Sequence, residues 1–132
     1  MSTVSLNQKN YTLPGVPVVV ICADGWANEY ISLGFAHGEL PNLARLASDG
    51  YYGLARGALP SFTNVNNCSI VTGTPPFETG IGGNYIIDPE SGEELMTNSS
   101  RFLRNDTILA AASQAGRKVA MVTAKDKLRE LL

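Results

Sequence analysis

Three stretches of the chain are apolar with little polar interruption, and they set the expected architecture. Val16-Pro17-Val18-Val19-Val20-Ile21-Cys22-Ala23 is rich in β-branched residues and stops at Asp24-Gly25. A run apolar on both faces predicts a parallel strand covered on both sides. Pro17 stands at its start, where a missing N–H is tolerated. Residues 51–58 alternate loosely and predict a second strand, and Lys118-Val119-Ala120-Met121-Val122-Thr123 predicts a third buried one. Between them the period changes to that of helices. Residues 40–50 place Leu43, Leu46 and Ala47 on one face, with Pro41 suited to the first helical position and Gly50 to the exit. Residues 26–33 carry only a weak helical signal.

Further on, Leu59-Pro60-Ser61-Phe62-Thr63-Asn64-Val65-Asn66-Asn67-Cys68-Ser69-Ile70-Val71-Thr72-Gly73 reads as a turn feeding a hydroxyl-bearing residue into a helix. Residues 74–84 form a loop of Pro, Gly and Thr. Residues 85–95 predict a hairpin turning on Asp88 to Gly92. Asn105-Asp106 is placed to cap a helix through Ile108, Leu109 and Ala112 that ends at Gly116, and residues 124–132 begin another helix. Residues 1–13 are polar and unpatterned, an arm or an edge strand. The alternation predicts an α/β fold: a single partial domain over residues 1–132, with a mostly parallel sheet between helical layers.

Composition narrows the classes. The 132 residues carry a net charge of −2, with 44% apolar and 17% charged residues, which suits a soluble globular domain and argues against a nucleic-acid surface. No apolar run has the length of a membrane span, and the first ten residues lack the regions of a signal peptide, so a cytoplasmic protein without membrane partners is expected. Cys22 and Cys68 read as separate core residues rather than a disulfide or metal pair.

Several residues could carry chemistry. Asp24 ends the first predicted strand beside Gly25, where a carboxylate can reach a divalent cation; it also reads as an exposed loop acid. Ser61 or Thr63 either caps the helix or presents a hydroxyl among the unpaired N–H groups of its first turn, where an anion is stabilised. Lys125, Lys127 and Arg129 stand at the start of a helix, a place the helix dipole makes unfavourable for cations, so they are either a solvated face or neighbours of something anionic. The single histidine, His37, lies in a loop without a metal motif. Neither G-x-G-x-x-G after the first strand nor G-x-x-x-x-G-K-[ST] anywhere is present, which removes the familiar nucleotide sites.

In order along the chain, Ile21-Cys22-Ala23-Asp24-Gly25, Pro41-Asn42-Leu43, Pro60-Ser61-Phe62-Thr63-Asn64, Gly83-Asn84-Tyr85 and Thr123-Ala124-Lys125-Asp126-Lys127-Leu128-Arg129 resemble the amino-terminal part of the phosphonoacetate hydrolases, within the alkaline phosphatase superfamily. The resemblance runs from about residue 14 to the last. It implies an alkaline-phosphatase-like three-layer sandwich, incomplete in this chain, and two zinc ions. Asp24 then matches a zinc ligand, and Thr63 a nucleophile that also ligates zinc. Asn84 matches an amide holding a phosphonate oxygen, and Lys125 and Lys127 match lysines on the substrate's anionic groups. The implied reaction cleaves the carbon–phosphorus bond of phosphonoacetate to acetate and phosphate through a phosphothreonine. A homodimer is left open.

A two-zinc site calls for about three or four ligands per ion, commonly with histidine. His37 alone does not supply them, so these residues are expected to be the amino-terminal fragment of a longer enzyme and inactive by themselves. The alternatives are a nucleotide pyrophosphatase/phosphodiesterase-like hydrolase, which shares Asp24, Thr63 and Asn84 without needing the lysines, and a non-catalytic binding module.

Overall fold

The structure, a computed structural model, describes residues 2–132. In chain order the elements are β1 (Ser2–Leu6), β2 (Lys9–Leu13), α1 (Asn28–Ala36), α2 (Pro41–Asp49), α3 (Thr63–Thr72), α4 (Pro76–Thr79), β3 (Tyr85–Ile87), β4 (Glu94–Met96), α5 (Ile108–Gln114) and α6 (Asp126–Arg129). A 3₁₀ turn, Ser100–Phe102, precedes α5. The chain divides into two compact units, one made of Val19–Arg56 and the other of the residues on either side of it.

The larger unit is built around α3. Val65 and Cys68 on this helix are buried with Ile81, Leu128 and Leu131, and Ala58, Phe102, Leu103 and Leu132 pack against them. This small core ties α6 to α3. Leu131 has no exposed surface, and truncating a buried leucine costs about 2–5 kcal/mol. Leu131→Ala is therefore expected to lower the unfolding free energy by that amount in a urea titration.

Ser2–Leu6 and Lys9–Leu13 form a hairpin where an arm or an edge strand was expected. Leu6 pairs with Lys9, so Asn7 and Gln8 make a two-residue loop with φ of 48° and 62°. Two positive φ values are what a type I′ turn requires, and they match the twist of the flanking strands. The turn also reaches the far end of α3. Asn7 Nδ2 donates to the Thr72 carbonyl at 2.9 Å and to the Asp106 carbonyl at 2.8 Å, and Lys9 Nζ donates to the Gly73 carbonyl. Gly73, at φ +66°, ends the helix in the left-handed conformation that glycine adopts without a Cβ penalty.

The predicted hairpin at 85–95 is present as the antiparallel pair β3–β4. Its loop is held by Asp88, whose carboxylate accepts from Ser91 Oγ at 2.8 Å and from the Glu90 N–H at 3.3 Å. The Ser91 bond and then the Glu90 bond hold the Asp88 carboxyl below its usual range. The helix expected from 105 starts later, at Ile108. Its cap is Thr107, whose Oγ1 accepts from the Ala110 N–H at 3.1 Å, and not Asn105-Asp106.

In the smaller unit, the expected α2 is found with Pro41 at its first position and Gly50 following it. The weak signal near residue 26 becomes α1. Phe35 and Tyr52 meet edge to face, with centroids 5.8 Å apart.

The parallel sheet is not formed among the described residues. Residues 16–23, 51–58 and 118–123 carry no ladder; the ladders that exist are the two antiparallel pairs. A strand needs a neighbour on its edge and cover on its faces, and these runs have neither. Val19, Val20 and Ile21 are 81%, 76% and 86% exposed, so both faces of that run meet solvent. Cys22, expected in the core, is exposed for the same reason. The helix expected over 124–132 is the single turn α6.

The two thiols consequently differ. Burial pushes the Cys68 thiol up to about 12, against an ordinary value of about 8.5. Below the ordinary value both folded and unfolded chains hold the proton, and stability does not depend on this group. As pH rises from there toward 12, the unfolded chain releases a proton that the folded chain retains, so stability falls. The urea midpoint is expected to drop between pH 8 and pH 10, and less so in Cys68→Ala. A thiol reagent at pH 8 is expected to label Cys22 promptly and Cys68 only on unfolding.

Candidate active site

The start of α3 is organised by asparagines, not by a capping hydroxyl. Phe62 holds the N-cap position and makes no side-chain cap, so neither Ser61 nor Thr63 serves as one. Asn66 does the corresponding work from inside the helix. Its Oδ1 accepts from the Ala58 N–H at 2.9 Å, and its Nδ2 donates to Ser61 Oγ at 3.2 Å and to the Phe62 carbonyl at 3.1 Å. Asn67 Nδ2 donates back to the Thr63 carbonyl at 2.9 Å. The approach through residues 58–62 is thereby fixed, and Thr63 becomes the first residue of the helix, half-buried.

Two of the predicted site residues meet Thr63 or its neighbour. Lys125 Nζ donates to Thr63 Oγ1 at 3.2 Å. This contact exists because Leu128 and Leu131 anchor α6 against Val65 and Cys68 of α3, while Thr123 Oγ1 accepts from the Lys125 N–H at 3.1 Å and sets the turn before α6. Asn84 joins from the loop ahead of β3, where its Oδ1 accepts from the Asn64 N–H at 3.2 Å. Lys127 lies half-buried on α6, two residues past Lys125. A hydroxyl, an ammonium and a carboxamide thus gather at the positive end of a helix, a combination suited to a phosphate-like anion.

Asp24 belongs to the other unit. It sits exposed at a turn in which the Trp26 N–H donates to the Ala23 carbonyl at 3.3 Å and Gly25 takes φ +77°. His37 is exposed just past α1. Asp24 and Thr63 each offer an oxygen that zinc accepts, but among the described residues no three His, Cys, Asp or Glu side chains form a cluster able to hold a metal. The described residues therefore fit zinc as individual donors and do not by themselves make a zinc site.

The model of the type I phosphodiesterase/nucleotide pyrophosphatase family matches residues 18–126. The chain belongs to this family. Within it, the structure is similar to phosphonoacetate hydrolase from Sinorhizobium meliloti 1021, solved in complex with phosphonoacetate, at 46% identity and a TM-score of 0.92 over 99% of the chain. The same enzyme in complex with phosphonoformate gives 47% identity and again a TM-score of 0.92. The chain spans 32% of the length of those solved chains. The resemblance to phosphonoacetate hydrolase read from the motifs is thus met at the level of the fold; Asp24, Thr63, Asn84 and Lys125 lie inside the matched family segment, and Lys127 falls one residue past its end.

Two buried residues beside the candidate site escaped the sequence reading. Asn64 and Thr97 have no exposed surface and are joined by hydrogen bonds from Asn64 Nδ2 to the Thr97 carbonyl at 2.7 Å and to Thr97 Oγ1 at 3.1 Å. The buried face of α3 is Asn64, Val65, Cys68 and Thr72, half of it polar, so hydropathy gave no sign of it. Among the described residues no helix is long and apolar enough to cross a membrane.

Proposed function

We propose that the protein carrying this chain hydrolyses the carbon–phosphorus bond of phosphonoacetate, with Thr63 as nucleophile. The observation that carries the reading is the 3.2 Å contact between Lys125 Nζ and Thr63 Oγ1. It sets a cation beside the hydroxyl, where a dianionic phosphonate and a developing alkoxide are both favoured. In the proposed reaction Thr63 Oγ1 attacks phosphorus and loses its proton. A P–O bond forms as the P–C bond breaks, and the bonding pair leaves on the methylene carbon, delocalised into the carboxylate. Lys125 and Lys127 hold that carboxylate and stabilise the charge arriving on it. Water protonates the carbon to give acetate, the hydroxide left behind takes up the proton that Thr63 lost, and a second water then hydrolyses the phosphothreonine to phosphate and free Thr63. Asn84 donates to a phosphonate oxygen throughout. Two zinc ions belong to the proposal, with Asp24 and Thr63 as this chain's ligands; a bound zinc lowers the pKa of a coordinated hydroxyl.

The test exchanges these 132 residues for the segment they match in the solved phosphonoacetate hydrolase. The zinc-loaded chimera is expected to release equal amounts of acetate and phosphate from phosphonoacetate, and the 132-residue chain alone to release none. A folded, zinc-loaded chimera that releases neither product overturns the reading.

The family match favours a second reading, hydrolysis of a phosphodiester or pyrophosphate. It uses Thr63 and Asn84 in the same way and leaves the lysines without a carboxylate to hold. Turnover of a chromogenic phosphodiester exceeding that of phosphonoacetate would favour it.

A further inference from the structure

We infer that Thr97 is a positioning residue of the phosphonate site, holding Asn84 so that its carboxamide nitrogen is the group presented to the anion. The inference rests on the phosphonate reading above. Thr97 follows β4 and is fully buried, thirteen residues from Asn84 along the chain. It grips the Asn84 loop at two points. Its Oγ1 donates to the Gly83 carbonyl at 2.7 Å, and its N–H donates to the Asn84 carbonyl at 2.9 Å. It is gripped in turn by Asn64 Nδ2, which donates to both the Thr97 carbonyl and Thr97 Oγ1.

These bonds close a ring. Asn64, the residue after Thr63, binds Thr97 through its side chain; Thr97 binds the backbone on either side of the Gly83–Asn84 peptide. The Asn84 side chain then returns to Asn64, its Oδ1 accepting from the Asn64 N–H at 3.2 Å. An N–H can be met only by the amide's oxygen end, so the ring fixes which way the carboxamide faces. Asn84 Nδ2 is left to donate away from the helix. The positive end of α3 reaches the anion through this amide, which the Asn64 N–H polarises as it donates.

The Thr97 hydroxyl matters because it is both donor and acceptor. Thr97→Val keeps the shape and removes both bonds, leaving the Gly83 carbonyl and one Asn64 proton unpaired; Thr97→Ser keeps the hydroxyl. The backbone bond from the Thr97 N–H to Asn84 survives in each, so the fold near β4 is kept while the loop loses its side-chain anchor.

Two measurements test this, one on the ¹⁵N-labelled 132-residue chain and one on the zinc-loaded chimera. The first is hydrogen exchange of the Asn64 backbone amide, with the Leu128 amide, which bonds the Lys125 carbonyl at 3.0 Å, as internal control. Thr97→Val is expected to speed Asn64 exchange at least about tenfold with Leu128 unchanged, and Thr97→Ser to restore protection. The second is the KM for phosphonoacetate in the zinc-loaded chimera, which Thr97→Val is expected to raise about tenfold and Thr97→Ser to leave near the parent. Unchanged Asn64 exchange in Thr97→Val overturns the inference. So does equal acceleration at Asn64 and Leu128, which marks a general loss of stability. A zinc-loaded chimera that turns over no phosphonoacetate overturns the phosphonate reading, while protected Asn64 in the 132-residue chain leaves the lock itself standing.

Discussion

Thr63→Ala is expected to lower phosphate release from phosphonoacetate by at least about 10³-fold in the zinc-loaded chimera, with little change in stability. The side chain is half-buried at the first position of α3, one residue past the N-cap position held by Phe62. Removing its hydroxyl deletes the proposed attacking atom without opening the core that Val65 and Cys68 build. Thr63→Ser keeps an attacking oxygen and is expected to retain a measurable fraction of the rate. A quenched reaction should trap phosphate on Thr63 in the parent and the serine form, and none in the alanine form. Activity that survives Thr63→Ala would remove the covalent route altogether.

The second large effect concerns substrate choice. Lys125→Ala is expected to cut turnover of phosphonoacetate by about 10²–10³-fold, the scale on which removal of a group that stabilises transition-state charge is felt. Turnover of a chromogenic phosphodiester in the same chimera should fall by a clearly smaller factor, because it loses the cation beside Thr63 Oγ1 but its leaving group carries no carboxylate. Lys127→Ala should follow the same pattern more weakly, since Lys125 is the lysine that reaches Thr63 Oγ1. Equal losses on both substrates would assign Lys125 to the nucleophile alone and not to the carboxylate.

Helices and turns were legible in the sequence wherever local chemistry decides them. Pro41 and Gly50 bracket α2, and Asp88 with Gly92 marks the hairpin loop. The candidate site could be read only as residue types at intervals; the contact of Lys125 with Thr63 came from the structure. Two things were not legible. The runs at 16–23, 51–58 and 118–123 have the composition of covered strands, but a strand is a relation to a neighbour, and the described residues supply none. The ring of Asn64, Thr97 and Asn84 was hidden because buried hydrogen-bonded polar groups look like surface residues in any hydropathy pattern. The amino-terminal hairpin was missed because Asn7-Gln8 lacks the glycine that usually marks a type I′ turn.

That hairpin has one more consequence. Asn7 and Lys9 occupy the carbonyl end of α3, some nine residues beyond Thr63. Proteolytic trimming of the first ten residues, or a bulky tag pressed against them, would slacken the helix from behind and leave every group around Thr63 chemically intact. Preparations differing only at their leading edge should then differ in catalytic quality while sharing an identical set of reacting atoms.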